Sequence, residues 1–305
     1  MKNTSQESIS NPTVLVSVLN WNRRDDLKQT LETLLRQTYE PKELLVIDNG
    51  STDGSLERLK THFPSVKTIF LPKNIGVSAR NKAFQNTKVD YIFQFDNDSA
   101  PKNPDYIKKA VDFLEKYPHI DAICPSVYNT YTKASETKNW EQYAIDGNEK
   151  EGYKGLFIHA SGMIFKRERF LLSDGYTDEF LIHGEEVDLS LNFLKHGLTI
   201  VYKPNLEAIH RHSLQQRQPN EKIESVVKHW VWILWKYFPN AYAISLTFKW
   251  FLASSLIFHQ QLFPCWKGFF KGLFTLPKHL LHRQLFTAEQ IKKTKSWQKM
   301  WQRGL

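Results

Sequence analysis

The chain has 305 residues, of which 41% are hydrophobic and 24% charged, a composition that excludes a disordered or collagen-like protein. This length allows one large domain, or one domain with an appendage. The two cysteines provide neither a disulfide framework nor the spacing of a metal site. Residues 1–11 are polar without an apolar core, which predicts a disordered lead, no secretory signal and a cytoplasmic setting.

Positive charge is concentrated at the C-terminal end. The net charge of +9 comes from 41 Lys and Arg against 32 Asp and Glu. Residues 226–305 hold 12 of these bases and one of the acids, which leaves 29 bases and 31 acids in residues 1–225. The basic balance therefore describes the C-terminal region and carries no information about the partners of the first 225 residues.

Apolar runs and helical repeats alternate from residue 13 to residue 116. The patterns predict strands over 13–19, 43–47, 67–71 and 91–95, and helices over 24–37, 55–62, 78–85 and 104–116. This order predicts an α/β fold with a mostly parallel sheet covered by helices on both faces. Ligands of such sheets bind at the carboxyl ends of the strands.

Polar segments follow all four predicted strands at that edge. They read NWN at 20–22, DNGSTDG at 48–54, KNIG at 73–76 and DND at 96–98. Each could be only a turn, because Asn, Asp, Gly and Ser favour turns for backbone reasons. Four such segments at one edge of a sheet favour a ligand site instead.

Asp96 and Asp98 place two carboxylates close together at the end of the fourth strand. Without a cation they would repel each other. Hard oxygen ligands suit Mg²⁺ or Mn²⁺, and Mg²⁺ is commonly held by carboxylates together with substrate phosphates. The pair therefore predicts a divalent cation and a phosphate-bearing substrate, and the alternative is a solvated turn before the helix at 104–116.

Acidic residues also open a helix predicted over 184–196. Glu185 and Asp188 share one face of this helix, and Glu186 points elsewhere. The helix dipole favours acids at this position without any function, whereas a carboxylate held near a hydroxyl can act as a general base.

His210 and His212 follow strands predicted over 156–165 and 199–202. One residue apart, they would face opposite sides of an extended segment. Either could bind a metal or a phosphate, and ordinary surface histidines are the alternative.

The order of these segments resembles the family 2 glycosyltransferases, which share the nucleotide-sugar-binding GT-A fold. The resemblance extends over residues 13–213 and rests on NWN, DNGSTDGS, KNIGVSARN, FDNDS, GEEVDLSLNFLKHG and IHRHS. It is greatest to the bacterial subgroup that includes rhamnosyltransferases. It implies transfer of a sugar from a nucleotide diphosphate to a hydroxyl of a glycan or lipid-linked acceptor, with inversion, in cell-envelope polysaccharide synthesis.

The resemblance also implies roles for individual residues. Those expected to contact or underlie the nucleotide are Asn20, Asp48, Gly76, Arg80 and Asp96. Those expected to hold Mg²⁺ or Mn²⁺ with the diphosphate are Asp96, Asp98 and either His210 or His212. Glu186 matches the base, the second member of a pair usually written Glu-Asp. Because Glu replaces Asp here, Glu185 and Asp188 remain alternatives.

Several alternatives concern the substrates. Rhamnose carried on dTDP is the first hypothesis for the donor, from the subgroup resemblance alone, and a UDP-linked hexose is the second.

Two alternatives concern the function. A non-catalytic nucleotide-sugar-binding scaffold of the same fold is a competing interpretation. A nucleotidyltransferase is another, although NWNR at 20–23 stands where its Gly-rich loop would be. We expect the acceptor to be selected by residues 128–155 and by the loop at 180–183.

The predicted domains are a GT-A domain at 12–225 and a basic, aromatic-rich helical appendage at 226–305, which holds seven of the nine Trp. Trp favours the membrane interface, and Lys and Arg are attracted to anionic lipids. The apolar stretch 241–258 is interrupted by Lys249 and is shorter than a span of about 20 residues. We expect peripheral helices at the cytoplasmic face of the inner membrane. The alternative is a helical subdomain of a cytoplasmic protein, and no nucleic-acid-binding module is recognised.

Overall fold

The computed structural model describes residues 11–211 and 219–304, so the lead predicted at 1–11 lies almost entirely outside the described residues. The described strands are β1 (Val14–Asn20), β2 (Lys42–Asp48), β3 (Lys67–Phe70), β4 (Tyr91–Asp96), β5 (Ser99–Pro101), β6 (Ala122–Asn129), β7 (Ala134–Ser135), β8 (Asp146–Asn148), β9 (Gly152–Lys154), β10 (Met163–Lys166) and β11 (Ile200–His210). The described helices are α1 (Arg24–Leu35), α2 (Ser55–His62), α3 (Asn81–Gln85), α4 (Tyr106–Lys116), α5 (Arg167–Phe170), α6 (Glu185–Lys195), α7 (Pro219–Tyr237), α8 (Asn240–Ile257), α9 (Leu262–His279) and α10 (Ala288–Gly304).

All the described strands join one sheet, in the order β3-β2-β1-β4-β10-β6-β11-β9-β8, with β5 paired to β11 and β7 to β6. Strands β1 to β4 are mutually parallel, which confirms the α/β class. The mostly parallel arrangement predicted for the sheet holds among these four strands. Beyond β4 the sheet is mixed, because β10 runs antiparallel between β4 and β6.

The central strand β1 is apolar on both faces because helices cover both sides of the sheet. Val14, Val16 and Val18 pack into one cluster with α1 and α4. Leu15 points to the opposite face and packs into a second cluster with residues of α3 and α6. This rigid frame fixes the loops at the carboxyl ends of β1, β2 and β4.

Two predicted strands differ from those observed. Of the strand predicted over 156–165, only the end is observed, as the first residues of β10. The strand begins after Gly162, because the φ of +96° at this residue interrupts the extended backbone. The strand predicted over 199–202 continues as β11 to His210, because β5, β6 and β9 all pair with it.

A third apolar cluster joins the C-terminal helices to the rest of the protein. It packs Val187, Leu191 and Leu194 of α6 against buried residues of α7, α8 and α9. Helix α7 starts at Pro219, so the domain boundary predicted between 225 and 226 falls inside this helix.

No helix in the described ranges 11–211 and 219–304 is both long and apolar enough to cross a membrane by itself. Helix α8 and the segment His259–His279 satisfy the length and composition criteria only as a pair, and they meet at 90°.

Candidate active site

One cavity of about 550 Å³ opens at the carboxyl ends of β1, β2 and β4. Its volume is in the range of small-molecule sites. Its ionisable lining residues include Arg80, Asp96, Asp98, Glu136, His159, Glu185, Glu186 and His210. The cavity is therefore where four parts of the chain meet: the ends of β1, β2 and β4, the segment after β6, the start of α6 and the end of β11.

Asn20 and Asp48 lie beneath this cavity and are both fully buried. Asn20 Nδ2 donates to Asp48 Oδ2 at 2.9 Å, and Asn20 Oδ1 accepts a hydrogen bond from Asn97 Nδ2 at 2.9 Å. Neither Asn20 nor Asp48 lines the cavity, whereas Asn97 does. The two residues therefore tie the loops after β1, β2 and β4 together, and their contact with a nucleoside stays a prediction.

Gly76 lies on the cavity wall at the start of a 3₁₀ turn, Gly76–Arg80, which with α3 replaces the helix predicted over 78–85. Its φ is +76°, and a Cβ there would lie 2.5 Å from Leu181 Cα. Asn49 Nδ2 donates to the Gly76 carbonyl at 2.9 Å and holds the turn under the cavity. Glycine is required by both the backbone conformation and the close approach.

Arg80 is buried and pairs with the first aspartate of the Asp-Asn-Asp segment. Its Nη1 donates to the Phe95 carbonyl at 3.2 Å, and its Nη2 donates to Asp96 Oδ1. The other carboxylate oxygen, Asp96 Oδ2, lies 3.5 Å from Ser161 Oγ. The guanidinium thus offsets one negative charge and fixes the direction of Asp96.

Asp96, Asp98 and His210 can together hold a metal ion. One ligand atom from each lies within 4.8 Å of the others. His210 reaches this place because β11 pairs with β5, which sets His210 opposite Ser99 just after Asp98. The structure therefore brings together three of the predicted metal ligands, while His212 lies outside the described residues.

Glu136 and His159 adjoin this site and were not predicted from the sequence. Glu136 Oε2 lies 2.8 Å from His210 Nδ1 and 3.0 Å from His159 Nε2. Asn129 Nδ2 donates to the second Glu136 oxygen at 2.7 Å. No spacing in the polar segment 128–155 marked Glu136, because its partners are distant along the chain.

These contacts shift the protonation of the cluster. Burial raises the pKa of Glu136, but hydrogen bonds from His159 and His210 outweigh burial and hold this pKa well below its usual range. Burial lowers the pKa of His210, but its bonds to Asp98 and Glu136 raise it to about 10. Burial also lowers the pKa of His159, and the nearby carboxylates of Glu136 and Glu186 raise it overall. The cluster is thus a tightly paired set of opposite charges.

Glu185 and Glu186, at the start of α6, both line the cavity. Glu186 Oε1 accepts the Ala160 N–H at 2.6 Å. Glu185 Oε2 is buried without a hydrogen-bond partner in the described part of the chain. Burial, together with the neighbouring Glu186, raises the pKa of Glu185 to about 8. Glu185 therefore retains its proton near neutral pH.

Asp188 is turned away from the cavity, although it shares a helix with the acidic pair. It is 1% exposed and accepts bonds from Lys236 Nζ at 2.9 Å and Tyr237 Oη at 2.9 Å. Its carboxylate links α6 to α7 away from the cavity. The alternative that Asp188 is the base stays a prediction, which this placement does not favour.

The loop before α6 forms another part of the wall. Leu181, Ile182 and His183 line the cavity, as does Glu136 from the segment 128–155. His229 Nδ1 on α7 donates to the His183 carbonyl at 2.5 Å and anchors this loop. Both segments expected to select the acceptor thus reach the cavity, and their selection of an acceptor stays a prediction.

The chain matches the family model described as "Glycosyl transferase family 2" over residues 15–171, just over half of its length. It is 28% identical over 173 residues to a glucosyl-dolichyl phosphate glucuronosyltransferase of Haloferax volcanii, covering 53% of this chain and 55% of the relative. It is 26% identical over 167 residues to a cholesterol galactosyltransferase of Borreliella burgdorferi, covering 52% and 45%. The chain therefore spans about half the length of the curated relatives it matches.

Solved structures share the fold. A mannosyltransferase of Pyrobaculum calidifontis in complex with GDP-Man and Mn²⁺ superposes with a TM-score of 0.58 at 17% identity, covering 96% of this chain and 81% of that chain. GalNAc-T7 with UDP, GalNAc and Mn²⁺ superposes with a TM-score of 0.60 at 16% identity, covering 76% and 49%. At these identities the likeness shows the fold alone.

Proposed function

The chain belongs to glycosyl transferase family 2, and we propose that it is a metal-dependent, inverting glycosyltransferase that uses a nucleotide-diphosphate sugar. One observation carries the proposal. A single cavity is lined by the metal-ligand set Asp96, Asp98 and His210 and by the acidic pair Glu185 and Glu186. Sugar transfer requires both parts, because a diphosphate must leave and a hydroxyl must lose its proton.

The residues present fit a divalent cation. Asp96 and Asp98 offer hard oxygen donors and His210 offers an imidazole nitrogen, a mixed set that favours Mn²⁺ over Mg²⁺. When bound, the cation would neutralise the negative charge that develops on the leaving diphosphate. Arg80 supports this by holding Asp96 in one orientation.

Glu186 is the proposed base. Its Oε1 is oriented by the Ala160 N–H, which leaves Oε2 to accept the proton of the acceptor hydroxyl. The hydroxyl oxygen forms the new bond to the anomeric carbon as the bond to the nucleoside diphosphate breaks on the opposite side, and the configuration is inverted. Glu185 carries a proton near neutral pH, so the pair holds one negative charge fewer than two ionised acids would.

The donor remains a choice among sugars. Rhamnose on dTDP is the first candidate, supported by the subgroup resemblance alone, and a UDP-linked hexose is the second. The named relatives transfer glucuronosyl and galactosyl groups, and the solved ones hold GDP-Man or UDP with GalNAc. These names support a nucleotide-sugar donor and favour testing several sugars.

A thermal-shift panel tests the proposal. The purified chain is melted with dTDP-rhamnose, UDP-glucose, UDP-galactose or GDP-mannose, each with and without Mn²⁺. We expect one donor to raise the melting temperature only when Mn²⁺ is present, because a ligand at about 100 times its Kd stabilises by about 2.7 kcal/mol.

Two variants make the panel specific. Asp98→Ala should abolish the metal-dependent shift, whereas Asp112→Ala, which removes an exposed carboxylate of α4, should retain it. A shift that is equal with and without metal, or that persists in Asp98→Ala, would contradict the metal-dependent donor site. The absence of a shift with every donor would contradict nucleotide-sugar binding.

A further inference from the structure

Two successive helices, α8 and α9, expose large apolar side chains along their outer surfaces. The exposed fractions run from 44 to 86%. We name these side chains the apolar face: Ile244, Phe248, Leu252 and Leu256 on α8, and Phe263, Trp266, Phe270 and Phe274 on α9. The α8 residues recur every four positions and so form one continuous stripe.

The opposite sides of these helices are already packed against the rest of the protein. Trp250 of α8 and Phe269 of α9 are buried in the cluster shared with α7. The exposed residues are therefore a second apolar surface on helices whose first surface forms the core. A helix that is apolar on all sides is buried in protein or in lipid, and large exposed apolar patches mark interaction sites.

Helix α9 is held closely on α7, so the apolar face has a fixed position. Lys267 and Lys271 each pair with Glu224 at 2.8 Å. A Cβ at Gly268 would lie 2.5 Å from the Glu224 carbonyl oxygen, and Gly272 approaches Val231 in the same way. The missing side chains allow the two helix backbones to approach.

The charges select the partner. The sequences of α8 and α9 contain four Lys and no Asp or Glu. Glu224 offsets Lys267 and Lys271, whereas Lys249 and Lys278 have exposed side chains beside the apolar face. A second copy meeting this face would bring basic helices together, and like charges repel. An anionic lipid surface attracts them and also accepts apolar side chains.

The geometry suits a helix pair that lies in the interface plane. The two helices meet at 90°, and neither one alone can cross a membrane. Two perpendicular helices can still lie together in one plane, with their apolar residues inserted at the headgroup level. Trp266 is suited to this depth, because Trp favours the membrane–water boundary.

We propose that the apolar face of α8 and α9 docks on an anionic lipid bilayer. Helix α7 carries α9 on one side, while its Lys222, Val226 and Trp230 line the cavity. Docking therefore holds the cavity in a fixed relation to the lipid surface. A cavity held at the lipid surface assigns the acceptor to the lipid-linked class. This assignment of the acceptor rests on the proposed function, whereas the docking itself does not.

Co-sedimentation with vesicles tests the docking. The full chain is mixed with phosphatidylcholine vesicles that contain or lack phosphatidylglycerol, at low and high NaCl. We expect binding to the anionic vesicles that weakens as salt screens the lysines. The double variant Phe263→Ser/Phe274→Ser should lower the partition coefficient by about a hundredfold or more, because two phenyl rings that leave water on docking are lost.

Matched variants control the experiment. Leu171→Ser/Leu172→Ser removes two exposed leucines outside the apolar face, 44% and 57% exposed, and should bind like the wild type. Lys249→Glu/Lys278→Glu should weaken binding to anionic vesicles, and Lys60→Glu/Lys109→Glu should weaken it less. Circular dichroism and the melting temperature verify that each variant is folded.

Two results would overturn the proposal. One is a lack of anionic-vesicle binding by the wild type, or binding that Phe263→Ser/Phe274→Ser leaves unchanged. The other is concentration-dependent dimerisation in analytical ultracentrifugation that the same double variant abolishes, without vesicle binding, which would assign the face to a second copy. Vesicle binding requires neither donor nor metal, so its failure is distinguishable from failure of the donor panel.

Discussion

At the residue scale, His210 has a carboxylate on each side of its ring. Its Nε2 lies 3.4 Å from Asp98 Oδ1, and its Nδ1 lies 2.8 Å from Glu136 Oε2. A metal takes the lone pair of one ring nitrogen, and the other nitrogen then donates its hydrogen to an orienting group. With a metal held by Asp96, Asp98 and His210, Glu136 would therefore fix the tautomer and the ring orientation of His210.

Metal affinity tests this role of Glu136. We expect Glu136→Gln to weaken Mn²⁺ binding about 10- to 100-fold, because loss of a carboxylate that orients a ligating histidine typically costs that much. The measurement is a Mn²⁺ titration of the purified chain, with free Mn²⁺ read by electron paramagnetic resonance. Glu151→Gln, an exposed acid of the same segment, should bind Mn²⁺ like the wild type. Unchanged affinity in Glu136→Gln would assign Glu136 a structural role only.

Two isosteric substitutions distinguish the role of Glu185 from that of Glu186. We expect Glu186→Gln to reduce transfer by about 10²- to 10⁴-fold, because an amide cannot accept the proton. Glu185→Gln should have a much smaller effect near pH 7, because burial already keeps Glu185 protonated. Transfer rates are compared with donor binding in the thermal-shift assay, which both variants should retain. Loss of transfer in Glu185→Gln, with activity kept in Glu186→Gln, would exchange the two roles.

At the element scale, the predictable part of the fold was the repeated pattern of β1 to β4. Strands β1, β2 and β4 are short, largely apolar and followed by polar residues. In-register parallel pairing sets Asn20 opposite Asp48 and Leu19 opposite Asp96. The edge where Asp96 and Asp98 lie could therefore be predicted from local patterns.

Local patterns did not show the direction of each side chain. Asn20 and Asp48 have the same polar atoms whether they bind a ligand or hold a neighbouring loop, and the structure shows the second use. Asp188 shares a helical face with Glu185, but its partner Lys236 lies 48 residues later on α7. Glu136 meets His210 over 74 residues of chain. Such pairings depend on tertiary packing, which residue spacing does not encode.

At the scale of the whole molecule, α7 connects three parts. It lines the cavity through Trp230, binds α6 through Lys236, and supports α9 through Glu224. The helical region is therefore continuous with the core around the site. Disruption of α7 should lower the free energy of unfolding of the entire protein.

We expect the contact between α7 and the loop before α6 to depend on pH through His229. It lies on α7, donates to the His183 carbonyl, and has Lys228, His183 and His279 as its charged or titratable neighbours. Burial lowers its pKa from 6.5 to about 3, with Lys228 adding to this effect and the bond to His183 opposing it. The unfolded chain therefore binds a proton below pH 6.5 that the folded chain excludes, and the free energy of unfolding falls as the pH is lowered.

The size of this effect can be measured. From the two pKa values, we expect a loss of about 2 kcal/mol between neutral pH and about pH 5 from His229 alone. Urea unfolding at several pH values compares the wild type with His229→Gln, whose amide can still donate to the His183 carbonyl. The variant should lose less stability over this range, whereas His119→Gln, at an exposed position, should match the wild type. If the free energy of unfolding falls equally with pH in the wild type and in His229→Gln, the buried imidazole does not control the acid sensitivity of the contact between α7 and the His183 loop.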